Sequence, residues 1–142
     1  MTRMEEVKCL RTEPNGRHYN CAQSLLVPFA SEVGLDKEQA DKLGSFFGSG
    51  MLHGSACGAL SATQMILGMA GYDSQQARQI IHDFRQRHQA TDCTTLLTLA
   101  KEQGIPRKDH CDALVFEMAE LLEEIFASKG EYCLLYTSPS PR

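Results

Sequence analysis

The sequence lacks the features that would make a membrane or nucleic-acid protein. It has no apolar run of the roughly 20 residues that a membrane span needs, so no span is expected. Its formal net charge is −4, and its Lys and Arg residues form no basic stripe interleaved with aromatics, so nucleic acid is not an expected partner. Acidic Glu5 and Glu6 stand where a secretory signal would have its apolar core. We therefore expect a cytoplasmic protein.

Several catalytic and metal-binding motifs are also missing. No Cys-x-x-Cys-His is present, which argues against covalent haem, and the glycines Gly48, Gly50 and Gly54 are not followed by the Gly-Lys-Ser/Thr of a phosphate-binding loop. There is no nucleophile elbow for a Ser-His-Asp hydrolase. The chain nevertheless contains six cysteines. Cytoplasmic thiols are normally kept reduced, so metal binding or redox chemistry explains them better than structural disulfides.

The hydrophobic pattern predicts an all-α fold. No alternating strand pattern occurs, and 142 residues with 42% hydrophobic content suffice for one compact bundle of about five principal helices. The predicted helical segments are Met4–Arg11, Cys21 to about Val33, Lys37 to about Phe47, a segment after Ser55 to about Gly68, Asp73 or Ser74 to about Gln89, Thr94–Gln103 and Cys111–Lys129. We divide the chain into an N-terminal helix and turn (1–18), a helical four-cysteine domain (19–130) and a tail (131–142).

Four cysteines recur at the predicted helix starts. Cys21 follows the candidate cap Asn20, Cys57 and Cys93 open the next two cysteine-bearing helices, and Cys111 opens the last one. The positive end of a helix dipole and its free N–H groups favour a thiolate, so we predict a lowered pKa at Cys57 or Cys21. We expect these four thiols to form one site.

These cysteines also carry a family resemblance. The resembling elements are Asn20-Cys21-Ala22-Gln23, Phe47-Gly48-Ser49-Gly50-Met51, Cys57-Gly58-Ala59, Asp92-Cys93, and Cys111 ahead of Leu114-Val115. Over roughly Tyr19 to Phe126 the chain resembles the C_GCAxxG_C_C family of small redox-active proteins. One departure is Ala62, which stands where the family pattern has glycine. The resemblance implies a redox role for the four matching cysteines.

Three chemistries are compatible with four such thiols. The favoured one is an iron-sulfur cluster held by Cys21, Cys57, Cys93 and Cys111 for electron transfer. The second is a dithiol-disulfide oxidoreductase that uses two of them, with Cys57 or Cys21 as the attacking thiolate. A structural zinc site ranks lower because no Cys-x-x-Cys pair exists, and four unrelated core cysteines remain the plain alternative. A redox partner is implied but not identified, and the sequence leaves the oligomeric state open.

The other cysteines and one histidine are expected outside this site. Cys9 fits no pattern, and His53 is interpreted as a solvated turn histidine, with a role beside a cluster as the alternative. The segment Cys133–Arg142, CLLYTSPSPR, resembles the conceptual translation of a sequencing adapter. We therefore expect residues 131–142 to be a non-native or disordered tail, and we exclude Cys133.

Overall fold

The computed structural model describes residues 1–12 and 16–128, and this part of the chain is helical, as predicted. It contains seven α-helices and no β-sheet, with one isolated bridge between Ala56 and Asp92. The helices are α1 (Arg3–Arg11), α2 (Gln23–Phe29), α3 (Lys37–Leu43), α4 (Gly58–Ala70), α5 (Ser74–His88), α6 (Cys93–Glu102) and α7 (Arg107–Ala127). The predicted tail and Cys133 lie outside the described residues.

Polar caps fix several of the helix ends near their predicted positions. Asp36 and Asp73 each accept a hydrogen bond from the backbone N–H three residues later, in a reciprocal capping box. Asp92 caps α6 without a return bond, accepting from the Thr95 N–H at 2.8 Å. Helix α2 ends just after Pro28 and continues as a tighter 3-10 turn over Ala30–Val33, because proline cannot donate in the helical ladder.

Two further helix boundaries differ from prediction by four residues. Helix α3 ends at Leu43, before Gly44, a residue with low helix propensity that packs against α2. Helix α7 begins at Arg107, so Cys111 is its fifth residue rather than its start. The extended backbone of Pro106 sets this earlier start, and Asp109 in the first turn favours it by facing the positive end of the dipole.

One hydrophobic core joins the helices and supports the cysteine-bearing ends. Val7 of α1, Phe29 of α2, Ile66 of α4 and Met118 of α7 are each at most 1% exposed. The rings of Phe29 and Phe126 stack at 6.0 Å between centroids. Helix α1, which we assigned to a separate N-terminal segment, therefore belongs to the same core. None of the helices in the described residues is long and apolar enough to cross a membrane.

Candidate functional site

The four predicted site cysteines line one cavity. Its volume is about 340 Å³, and it lies where α2, α4, α6 and α7 begin. Cys9 and His53 are not among its lining residues. The residues that line it are Arg11, His18, Asn20, Cys21, Ser49, Cys57, Gly58, Cys93, Leu96, Leu97, Arg107, Lys108, His110, Cys111 and Leu114.

A short antiparallel contact places Cys57 and Cys93 side by side. The N–H of Cys57 donates to the carbonyl of Thr91 at 2.9 Å, and the N–H of Cys93 donates to the carbonyl of Ser55 at 2.7 Å. These bonds flank the Ala56–Asp92 bridge, and residues two apart in extended backbone share a face, so both cysteines lie on one side of it. Cys57 is the cap residue of α4 and Cys93 the first residue of α6.

Two glycines let backbone segments approach the cysteines closely. Gly50 has a φ of +62°, and a Cβ there would lie 2.3 Å from the Ser55 carbonyl oxygen and 2.8 Å from the Cβ of Cys93. A Cβ on Gly58 would lie 2.6 Å from the Phe47 carbonyl oxygen and 3.3 Å from the Cβ of Cys21. The glycines of the motif are therefore required by packing around the thiols.

Cys21 and Cys111 form a hydrogen-bonded thiol pair. Cys21 lies in the turn before α2, where the side-chain oxygen of Asn20 accepts from the Gln23 N–H at 2.8 Å and its amide donates to the Gly44 carbonyl at 2.9 Å. The hydrogen bond from Cys21 lowers the pKa of Cys111 to about 6. The same bond, together with burial, raises the pKa of Cys21 well above its usual value. At neutral pH this pair is a thiol donating to a thiolate.

The other two cysteines are neutral thiols. Burial raises the pKa of Cys57 to about 11, although the backbone N–H groups of Ala59 and Leu60 act in the opposite direction. Burial is also the main cause that raises the pKa of Cys93. The prediction of a lowered pKa at Cys57 or Cys21 is therefore wrong. Cys57 is only 5% exposed, so loss of water outweighs the helix-start N–H groups.

Cationic side chains line the cavity beside Cys111, and the sequence interpretation missed them. Arg11 is 5% exposed, its Nε donates to the Asp112 carboxylate at 2.7 Å, and its Nη1 donates to the Tyr19 carbonyl at 2.9 Å. Arg107 donates to the Ser49 hydroxyl at 2.9 Å. The charges of Arg11 and Arg107 help to lower the pKa of Cys111, after the larger effect of the Cys21 hydrogen bond.

A sequence signal existed for one of these cations. Arg107 precedes Cys111 by four residues and so shares a helix face with it, once α7 is known to begin at Arg107. The contact between Arg11 and Asp112 joins residues 101 positions apart, and no local pattern indicates it. His110 also lines the cavity, and burial followed by the charge of His88 lowers its pKa, so it is neutral at neutral pH.

The cysteines share a cavity without forming a closed single-ion site. In residues 1–12 and 16–128, no three or more His, Cys, Asp or Glu side chains are grouped as ligands of one metal ion. A structural zinc needs its sulfurs about 2.3 Å from the ion. The arrangement therefore gives no support to the zinc hypothesis.

His53 is exposed, and its Nε2 lies 3.2 Å from the Ser55 hydroxyl.

Comparison with protein families shows which family the cysteine-bearing part of the chain matches. The family model described as "Putative redox-active protein (C_GCAxxG_C_C)" matches residues 19–125, a segment that includes all four cavity cysteines. The chain belongs to this family. Comparisons with curated proteins and with solved structures gave no significant match. The C_GCAxxG_C_C description names redox activity but no cofactor, substrate or partner.

Proposed function

We propose that this C_GCAxxG_C_C protein is a thiol-disulfide oxidoreductase whose redox pair is Cys21 and Cys111. The observation that carries the proposal is the pairing of these two thiols in the lining of the cavity, where a hydrogen bond from Cys21 lowers the pKa of Cys111 to about 6. A thiolate is the form that attacks disulfides, and a pKa slightly below the ambient pH gives a large thiolate fraction with useful nucleophilicity. This assignment makes Cys111 the attacking residue in place of Cys57 or Cys21.

The reaction requires two exchange steps. The Cys111 thiolate attacks one sulfur of a substrate disulfide, forms a mixed disulfide and releases the first substrate thiolate, which takes up a proton. Cys21 then gives up its proton, attacks the Cys111 sulfur and releases the second substrate thiol. The Cys111 thiolate, the Cys21 thiol, one proton from solvent and one substrate disulfide thus become one protein disulfide and two substrate thiols.

Formation of the mixed disulfide prepares Cys21 for the second step. The hydrogen bond to Cys111 is the largest cause of the raised pKa of Cys21, and the negative charge of Cys111 adds to it. Both effects end when the Cys111 sulfur enters a disulfide, because that sulfur is then neutral. The charge of Arg11, which lowers the pKa of Cys21, remains. Cys21 therefore becomes a better nucleophile when its attack is needed.

An iron-sulfur cluster for electron transfer is the second candidate, because all four cysteines line the same cavity. Cys111 interacts electrostatically with Cys21, Cys57 and Cys93 across this cavity, although no three of the described His, Cys, Asp and Glu side chains are grouped as ligands of one ion. A cluster contains several metal ions and spreads its ligands more widely than a single ion does. The residues that would hold it are these four cysteines, and the N–H groups that face Cys57 suit an anionic sulfur.

Anaerobic purification followed by metal analysis and thiol counting distinguishes the two candidates. The oxidoreductase proposal predicts colourless protein, sub-stoichiometric iron, and reversible loss of two thiols when a mild disulfide oxidant is added. Stoichiometric iron and a visible chromophore that is lost in each of four single Cys→Ser variants would overturn it in favour of the cluster.

A further inference from the structure

We propose that the cavity selects small disulfides that carry a carboxylate, with Arg107 as the residue that binds the anionic group. This inference rests on the proposed oxidoreductase function and names its substrate class. Among the residues that line the cavity, three are permanent cations and none is a carboxylate. The cations are Arg11, Arg107 and Lys108.

The charge balance around the cavity favours an anion. Asp112, which lies behind Arg11 and Lys108, accepts from both, at 2.7 Å and 3.2 Å. One carboxylate thus offsets part of two positive charges. The Cys111 thiolate, and the Asp92 carboxylate that acts on Cys93, supply further negative charge at neutral pH. That thiolate charge is lost when Cys111 enters a mixed disulfide. The cavity then has excess positive charge at the stage when a substrate half is covalently bound.

Arg107 is the cation best placed to contact a ligand. It is exposed at the cavity, whereas Arg11 is buried and already bonded to Asp112 and Tyr19. The Arg107 guanidinium donates to the Ser49 hydroxyl and forms no ion pair with a carboxylate of residues 1–12 or 16–128. Four of its five N–H donors remain for a ligand, in the fork geometry that suits a carboxylate. Its charge already lowers the pKa of both Cys93 and Cys111, which places it beside the thiols.

The volume of the cavity and the residues that line it limit the size and polarity of the ligand further. A volume of about 340 Å³ is near the lower end of small-molecule sites, so a compact ligand fits better than a folded domain. Leu96, Leu97 and Leu114 add apolar surface to the lining of the cavity. Short alkyl chains between a disulfide and a carboxylate match this combination.

The test compares three disulfides of similar size and different charge with the full-length reduced protein. They are dithiodipropionate, which is anionic, hydroxyethyl disulfide, which is neutral, and cystamine, which is cationic. Each rate is divided by the rate of the same disulfide with N-acetylcysteinamide, an uncharged thiol that is the half of none of the three disulfides, which removes intrinsic reactivity. We expect the anionic compound to react about tenfold faster than the neutral one, as a charged hydrogen bond implies, and the cationic compound to react slowest. Added salt should reduce the preference.

Two variants show whether Arg107 causes the preference. Arg107→Gln should remove most of the tenfold ratio between anionic and neutral disulfides, and this ratio is insensitive to changes in folding or in the Cys111 pKa. Arg78→Gln removes the same charge from the exposed face of α5, away from the cavity, and should keep the ratio. Equal normalised rates for all three disulfides, or an unchanged ratio in Arg107→Gln, would overturn the inference while leaving the oxidoreductase intact. No reaction with any of the three would overturn the oxidoreductase proposal and this inference together.

Discussion

The two cysteine pairs of the cavity differ in almost every physical respect. Cys57 and Cys93 occupy the helix starts at which a lowered pKa is expected, yet burial raises the pKa of both. Cys111 lies in the second turn of α7 and has its pKa lowered to about 6. A hydrogen bond from Cys21, helped by Arg11 and Arg107, accounts for this difference. A neighbouring thiol and nearby cations therefore outweigh position at a helix terminus.

The largest effect is expected when the proposed nucleophile, Cys111, is removed. Cys111→Ser should lower the rate of disulfide reduction by at least about 100-fold, because no other cavity thiol has a lowered pKa. Cys57→Ser, the matched control, should keep most of the activity. The measurement is thiol release from a chromogenic disulfide, and equal losses in the two variants would contradict the division into pairs.

Alkylation against pH should sharpen the same contrast. Cys111 should react with iodoacetamide with an apparent pKa of about 6, whereas Cys57 should approach full reactivity only near pH 11. At pH 7 the thiolate fractions of Cys111 and Cys57 differ by about four orders of magnitude. A low-pKa thiolate is a weaker nucleophile, which reduces this advantage by about two orders of magnitude. Cys111 should therefore react roughly 100-fold faster than Cys57. Mass spectrometry of the alkylated peptides gives both rates. A faster reaction at Cys57 would refute the assignment of the thiolate to Cys111.

Glycine substitutions should disturb the pairs separately. Gly58→Ala adds a Cβ 2.6 Å from the Phe47 carbonyl oxygen and 3.3 Å from the Cβ of Cys21, so it should destabilise the fold by about 2 kcal/mol and slow exchange at Cys111. The Cβ added by Gly50→Ala would clash with the Ser55 backbone and with Cys93. This substitution should destabilise the fold by about as much as Gly58→Ala, but it should have little effect on exchange at Cys111. Urea unfolding and exchange kinetics measure the two effects.

Gly68→Ala is the control for these substitutions. Gly68 lies inside α4, and an added Cβ there meets no heavy atom within 4 Å, so the change should stabilise the protein by about 0.5–1 kcal/mol. A selective loss of exchange in Gly50→Ala rather than Gly58→Ala would reverse the roles of the pairs.

A smaller effect than that of Gly58→Ala or Gly50→Ala is expected in the pH dependence of stability. The pKa of Cys111 is about 6 when folded and near 9 when unfolded, so the unfolded chain binds the extra proton between these values. The contribution of Cys111 to stability is therefore fully present above about pH 9 and is lost as pH falls towards 6. Because Cys111 is partly exposed, we expect a contribution on the order of 1 kcal/mol. Urea unfolding of wild type and Cys111→Ser should diverge as pH rises from 6 to 9; parallel profiles would exclude a folded-state thiolate.

Local patterns were sufficient to predict the helices. The apolar spacing, the Asp36 and Asp73 caps and the position of Pro28 each act within a few residues, and all gave helical segments close to those found. The start of α7 was predicted too late, at Cys111, although Arg107 and Lys108 are good helix formers that follow Pro106.

The electrostatics of the cavity could not be predicted from local patterns. The four cysteines were chosen for their helix-start positions, but the pKa of each depends on burial and on contacts between distant segments. Arg11 reaches Asp112 across most of the chain, and the partner of Cys111 is Cys21 in the turn before α2. Such contacts follow from the packing of α1, α2 and α7, which no sequence period encodes.

The most direct test of the central claim is to identify the disulfide that forms on mild oxidation. The four cavity cysteines fall in four different tryptic peptides, so differential alkylation and mass spectrometry can assign the bond without ambiguity. Protein equilibrated in buffers of graded redox potential should form one reversible disulfide between Cys21 and Cys111, while Cys57 and Cys93 stay reduced. A disulfide between Cys57 and Cys93, or no disulfide in protein that holds stoichiometric iron, would contradict the account.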